Sequence, residues 1–196
     1  MDTDREPNVI VAPKALGEIL ESQGEHEAIV VVGGAALIIQ GFVERATRDI
    51  DVIAISRDVR ESERRKIENP EPLPRALMDA ISRVARDYNL PEEWMNTTVS
   101  LQWRLGLPPG FGDRIHWRRY GGLWVGLADR QDLIFLKLYA AADSEGPSSV
   151  HYQDLVALEP THDELDDAAQ WAISQDISDP FAHIVRQVVE HAKRNK

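Results

Sequence analysis

The stretch from Val31 to Ala54 constrains the fold more than any other part of the chain. Ala28-Ile29-Val30-Val31-Val32 is a β-branched run of the kind carried by a buried strand. It ends at Gly33-Gly34, and Ala35 to Gly41 then reads as a helix of small and apolar residues. From Asp49 to Ile55 acids and aliphatics alternate, which predicts a second strand. Side chains two apart on a strand share a face, so Asp49 and Asp51 are expected to aim at one spot, with Ile50 and Val52 behind them. A chain that makes a strand, a glycine bend, a short helix and a returning strand predicts an α/β (α+β) fold with a small mixed, twisted sheet flanked by helices.

The same residues predict chemistry. Two carboxylates a few ångströms apart repel, and a cation stabilises the pair. Oxygen ligands suit Mg²⁺ or Mn²⁺. A double glycine where a strand feeds a helix lets a ligand approach the backbone, and the free N–H groups of the helix start attract phosphate. Metal on one side and phosphate on the other is equipment for attack on a nucleotide phosphate.

Gly33-Gly34 followed by Asp49-Ile50-Asp51 resembles the nucleotidyltransferase superfamily that includes DNA polymerase beta. The Arg45-x-Thr47-Arg48 lead-in resembles its bacterial minimal, AbiEii-type (DUF6036-like) branch, which contains toxins of toxin–antitoxin pairs. That branch carries a lysine on a helix, then a short loop, then an aspartate before a leucine; Lys137 and Asp154 match. Two departures stand out. No acid lies between Ile115 and Gly126, where a third carboxylate is common, and Ser144 and His151 stand where the branch often has arginine and lysine.

The resemblance implies metal-dependent transfer of a nucleotidyl group from a nucleoside triphosphate to a hydroxyl on RNA or protein. Asp49 and Asp51 would bind Mg²⁺ or Mn²⁺. Gly33, Gly34, Arg48 and Lys137 would hold the nucleotide, and Asp154 would assist the metals or act as base. A cognate toxin or antitoxin protein is an implied partner. The competing reading is a non-catalytic binding or regulatory protein on the same scaffold, which both departures favour; a third is an antibiotic-modifying nucleotidyltransferase. In plainer readings Lys137 is a snorkelling surface lysine and Asp154 a helix cap.

Elsewhere the pattern is helical. Pro13 to Gln23 and Pro74 to Tyr88 predict helices, the second with Leu77, Ile81, Val84 and Tyr88 as its apolar stripe. Leu90 to Asn96 reads as a turn, with Trp94 and Trp103 as packing residues. Arg114 to Gly121 and Leu123 to Ala128 predict a hairpin about Gly121-Gly122. Asp129 caps a helix to Asp143, with Leu133, Leu136 and Ala140 on one side. Thr161 to Glu164 has the spacing of a capping box, and a last helix follows Asp179-Pro180. This divides the chain into a sheet domain, 1–128, and a helical portion, 129–196, expected to pack on it, with one single domain as the alternative. Arg57 to Glu71, with Arg60, Arg64, Arg65 and Lys66, reads as a solvated segment, or as a basic edge for an RNA or the triphosphate.

A net charge of −11 argues against broad nucleic-acid binding, which needs a basic face. Without cysteine there is no disulfide or thiolate zinc site. The polar start, Met1 to Pro7, does not read as a signal peptide, and no apolar run approaches the roughly 20 residues of a membrane helix. A soluble cytoplasmic protein with no membrane partner is expected.

Overall fold

The computed structural model describes residues 9–58, 65–144 and 146–194. The expectations for Arg60 and Arg64, and for the polar start, lie outside the described residues. The chain forms two compact units, Met1–Arg104 with Gly112–Ala128, and Leu105–Phe111 with Asp129–Lys196. Among the described residues the fold is mixed α/β, with a five-stranded sheet and eight α-helices, the last four in the C-terminal portion.

The first unit holds the sheet. Its strands are β1 (Glu27–Val32), β2 (Ile50–Ser56), β3 (Met95–Asn96), β4 (His116–Tyr120) and β5 (Leu123–Leu127), in the order β3-β2-β1-β5-β4. β1 runs antiparallel to β2 and parallel to β5, so the sheet is mixed as its sequence predicts. β1 is central and buried along Ala28–Val32, which explains its unbroken β-branched run. Helices α1 (Ala12–Ser22), α2 (Gly33–Gln40) and α3 (Arg75–Asp87) complete the unit with the short α4 (Gln102–Leu105), which crosses its boundary. Gly17 lets α1 lie against the hairpin: a Cβ there would stand 1.7 Å from the Tyr120 carbonyl oxygen. Its own carbonyl accepts from the Gly122 N–H at 2.9 Å.

Several local expectations change. Met95–Asn96 is a strand rather than a turn, paired with Ile50 and Asp51, and the Ile50 N–H donates to the Trp94 carbonyl. Two residues carry too little pattern to announce a strand. Tyr88, the C-cap of α3, is 50% exposed and leaves the stripe of Leu77, Ile81 and Val84. Arg65 is buried rather than solvated. Its guanidinium lies 4.2 Å from the Trp124 ring centre and 5.0 Å from that of Trp117, and it donates to the Asp58 carbonyl. Arginine stacks on aromatic faces because its charge is delocalised and weakly hydrated.

The second unit is helical: α5 (Arg130–Asp143), α6 (Val150–Ala157), α7 (His162–Gln175) and α8 (Asp179–Arg194). α5 meets α6, α7 and α8, so burial goes beyond the expected single side. Leu133, Ile134, Phe135 and Leu138 are buried, while Leu136 and Ala140 are only half-buried. Asp129 caps α5 by accepting from the Gln131 N–H at 2.8 Å, and Thr161 and Glu164 form the full capping box of α7. None of the helices among the described residues is long and apolar enough to cross a membrane.

Arg130 grips Glu164 with contacts of 2.6 and 3.2 Å. That hydrogen bond, opposed by burial and helped by the Thr161 cap, holds the Glu164 carboxyl below its ordinary value of 4.5. A depressed folded value means the stabilisation is complete above pH 4.5 and is lost as pH falls through the folded value. Urea midpoints measured across that range are expected to fall less steeply for Glu164→Gln than for wild type.

Candidate active site

β1 arrives at Val32 in extended backbone, and Gly33 follows with φ +69°. α2 starts at the glycines themselves, so both contribute N–H groups to its first turn. Gly41, at φ 80°, ends it. A Cβ on Gly33 would stand 2.1 Å from Asp51 Oδ2, so the carboxylate lies directly against the Gly33 backbone. Gly33 is therefore needed twice, for its left-handed φ and for lacking a side chain.

β2 begins at Ile50, one residue later than its alternation suggests, and Asp49 immediately precedes it. Ile50 and Val52 are fully buried, Asp49 is exposed and Asp51 half-buried. Asp49 Oδ1 accepts from the Thr47 hydroxyl at 3.3 Å. The segment between α2 and β2 folds back over the second glycine. A Cβ on Gly34 would stand 3.0 Å from Arg45 Nη2 and 3.2 Å from Thr47 Oγ1. Arg45 is thus the cation beside the diglycine, a residue that sequence reasoning passed over in favour of Arg48; both are exposed. Only a backward fold of the loop could reveal this, since both arginines belong to the same polar run.

Gly33→Ala is expected to cost about 1–3 kcal/mol through the strained φ and the clash with Asp51. Gly34→Ala is expected to cost less, because the end of a flexible arginine can move aside. Urea denaturation of both variants checks the order; equal losses would contradict the Gly33–Asp51 contact.

Among the described residues, no three His, Asp or Glu side chains group so as to hold a metal ion. The carboxylates that would serve as donors are Asp49, exposed just before β2, and Asp51, half-buried against Gly33. That set fits Mg²⁺, which commonly takes one or two carboxylates and completes its shell with water and substrate phosphate.

Lys137 and Asp154 lie in the second unit and face each other. Lys137 Nζ meets Asp154 Oδ2 at 2.7 Å, with the side chains 7% and 3% exposed. Lys137 is therefore not a surface lysine. Nor is Asp154 a cap: it lies inside α6, whose cap is Ser149, accepting from the Tyr152 N–H at 3.2 Å. His151 lies in the first turn of α6 and is half-buried. The structure thus joins Gly33 to Asp51 in one unit, and Lys137 to Asp154 in the other.

Comparison with curated proteins and with solved structures finds no match. Comparison with family models does, over most of the chain and across both the diglycine and the Asp-x-Asp strand. With residues 12–157 matched by its model, the chain belongs to the family described as nucleotidyltransferase of unknown function (DUF6036).

Proposed function

We propose that this nucleotidyltransferase-family protein moves a nucleoside monophosphate from a nucleoside triphosphate to a hydroxyl acceptor. The observation that carries the reading is the contact of the Asp51 carboxylate with Gly33 at the start of α2. It sets an acid for a cation beside backbone donors for a phosphate. Asp49 and Asp51 hold Mg²⁺ or Mn²⁺, which when bound neutralises the phosphate and steadies the attacking and leaving oxygens. Gly33 and Gly34 receive the triphosphate, with Arg45, and Arg48 farther along the loop, offsetting its charge. The acceptor oxygen bonds to the α-phosphorus, the bond to pyrophosphate breaks, and the hydroxyl proton passes to a base. The family resemblance adds Lys137, to counter charge on the departing pyrophosphate, and Asp154, to orient Lys137 or take the proton.

A second reading is a non-catalytic partner, such as one half of a toxin–antitoxin pair. Two observations favour it: β4 and β5 carry no acid, and Lys137 is already engaged by Asp154.

One experiment separates them. The protein is incubated with each α-labelled triphosphate, Mg²⁺ and a cell lysate, with EDTA as control, while calorimetry follows nucleotide binding. Label on an RNA or protein band that disappears with EDTA is expected. Absence of metal-dependent binding by ATP, CTP, GTP and UTP alike would overturn the enzymatic reading.

A further inference from the structure

We propose that Trp103 is a positioning residue for Asp51, because it holds the irregularity that decides which face of the sheet Asp51 occupies. The functional part of this inference rests on the reading of Asp51 as a metal-binding carboxylate; the structural part does not.

The ladder between β1 and β2 contains a bulge. Ala28, Ile29 and Val30 stand opposite Ser56, Ile55 and Ala54, but Val31 and Val32 stand opposite Val52 and Asp51. Ile53 has no partner on β1. Without the bulge, regular alternation through Ile53 would place Asp51, three residues before Ala54, on the opposite face. With it, Asp51 sits across from Val32, on the face that Val30 and Ala54 share. The bulge thus lets β2 bury Ile50 and Val52 while Asp51 stays partly exposed beside Gly33.

A bulge leaves backbone groups without ladder partners, and a one-residue slip that restores pairing flips every side chain beyond it. On its far side β2 pairs at Ile55 with Glu68 and at Ile50 and Asp51 with β3, and Ile53 lies between these pairings. There the Trp103 indole N–H donates to the Ile53 carbonyl. The donor satisfies the bulged residue and removes the drive to slip. Trp94 supplies a comparison: its indole donates at 3.2 Å to the Ile81 carbonyl in α3 rather than to β2, and the contact it makes with β2 at Ile50 is through its backbone carbonyl, which the substitution keeps.

The test compares wild type, Trp103→Phe and Trp94→Phe. NMR reads the cross-strand contacts Val31–Val52 and Val32–Asp51, and water-proton relaxation reads Mn²⁺ affinity. Trp103→Phe is expected to lose those contacts and to bind Mn²⁺ about 10- to 100-fold more weakly. Trp94→Phe is expected to keep both, whatever stability it loses. Should Trp103→Phe fail to fold, a tryptophan analogue with sulfur in place of the indole N–H, placed at 103, removes only the donor. Retained contacts with unchanged Mn²⁺ affinity would overturn the proposal. A wild-type protein that binds no Mn²⁺ would overturn the metal reading instead, while the contacts still decide whether Trp103 holds the bulge.

Discussion

Asp51→Asn is expected to keep the fold and to lower nucleotidyl transfer by about 100- to 1,000-fold, the loss that follows removal of one charge-stabilising group. The replacement has nearly the same shape, so the contact with Gly33 survives. What changes is charge. A carboxamide is a weak ligand for a hard cation, and the single carboxylate left at Asp49 no longer makes the paired acid that requires one. Asp49→Ala is expected to give a loss of the same order with little change in stability, since that side chain is exposed. Urea denaturation paired with single-turnover transfer separates lost folding from lost chemistry. Full activity in either variant would remove the two aspartates from the mechanism.

The largest stability effect is expected at the buried pair of the second unit. Lys137→Met removes the lysine from beside the Asp154 carboxylate, which is only 3% exposed. Breaking a buried pair from one side costs roughly 3–5 kcal/mol, because the remaining charge stays desolvated. Asp154→Asn is expected to be similarly damaging. Lys137→Met combined with Asp154→Leu is expected to recover most of the loss, since apolar replacements of similar volume often match a buried pair. Denaturant midpoints of the two single variants and the double variant form the cycle that measures the coupling. If the double variant is as stable as wild type yet inactive, the pair is retained for chemistry. If the double variant is stable and active, Lys137 and Asp154 have no place in the reaction.

Where sequence reading fell short, the cause was a contact made by packing. The stripe assigned to α5 assumed one buried side, but the helix meets three others and is buried on more of its surface. Arg65 belongs to a mixed-charge segment that reads as solvated, and only the approach of Trp117 and Trp124, far away in sequence, gives its charge a place to stack. Arg48 and Arg45 look alike in sequence; the backward fold of the loop puts Arg45 at Gly34.

The sequence by itself determined the order of strand, diglycine, helix and paired aspartates, together with the hairpin and the caps of α5 and α7. Each of these is written in neighbouring residues, through side-chain period, glycine and capping chemistry. Tertiary structure alone decided that Asp51 rests on Gly33, that Ile53 bulges beneath the Trp103 indole, and that Lys137 and Asp154 meet in a buried pair. Those contacts join residues far apart in the chain, and no local pattern encodes a distance that only packing sets.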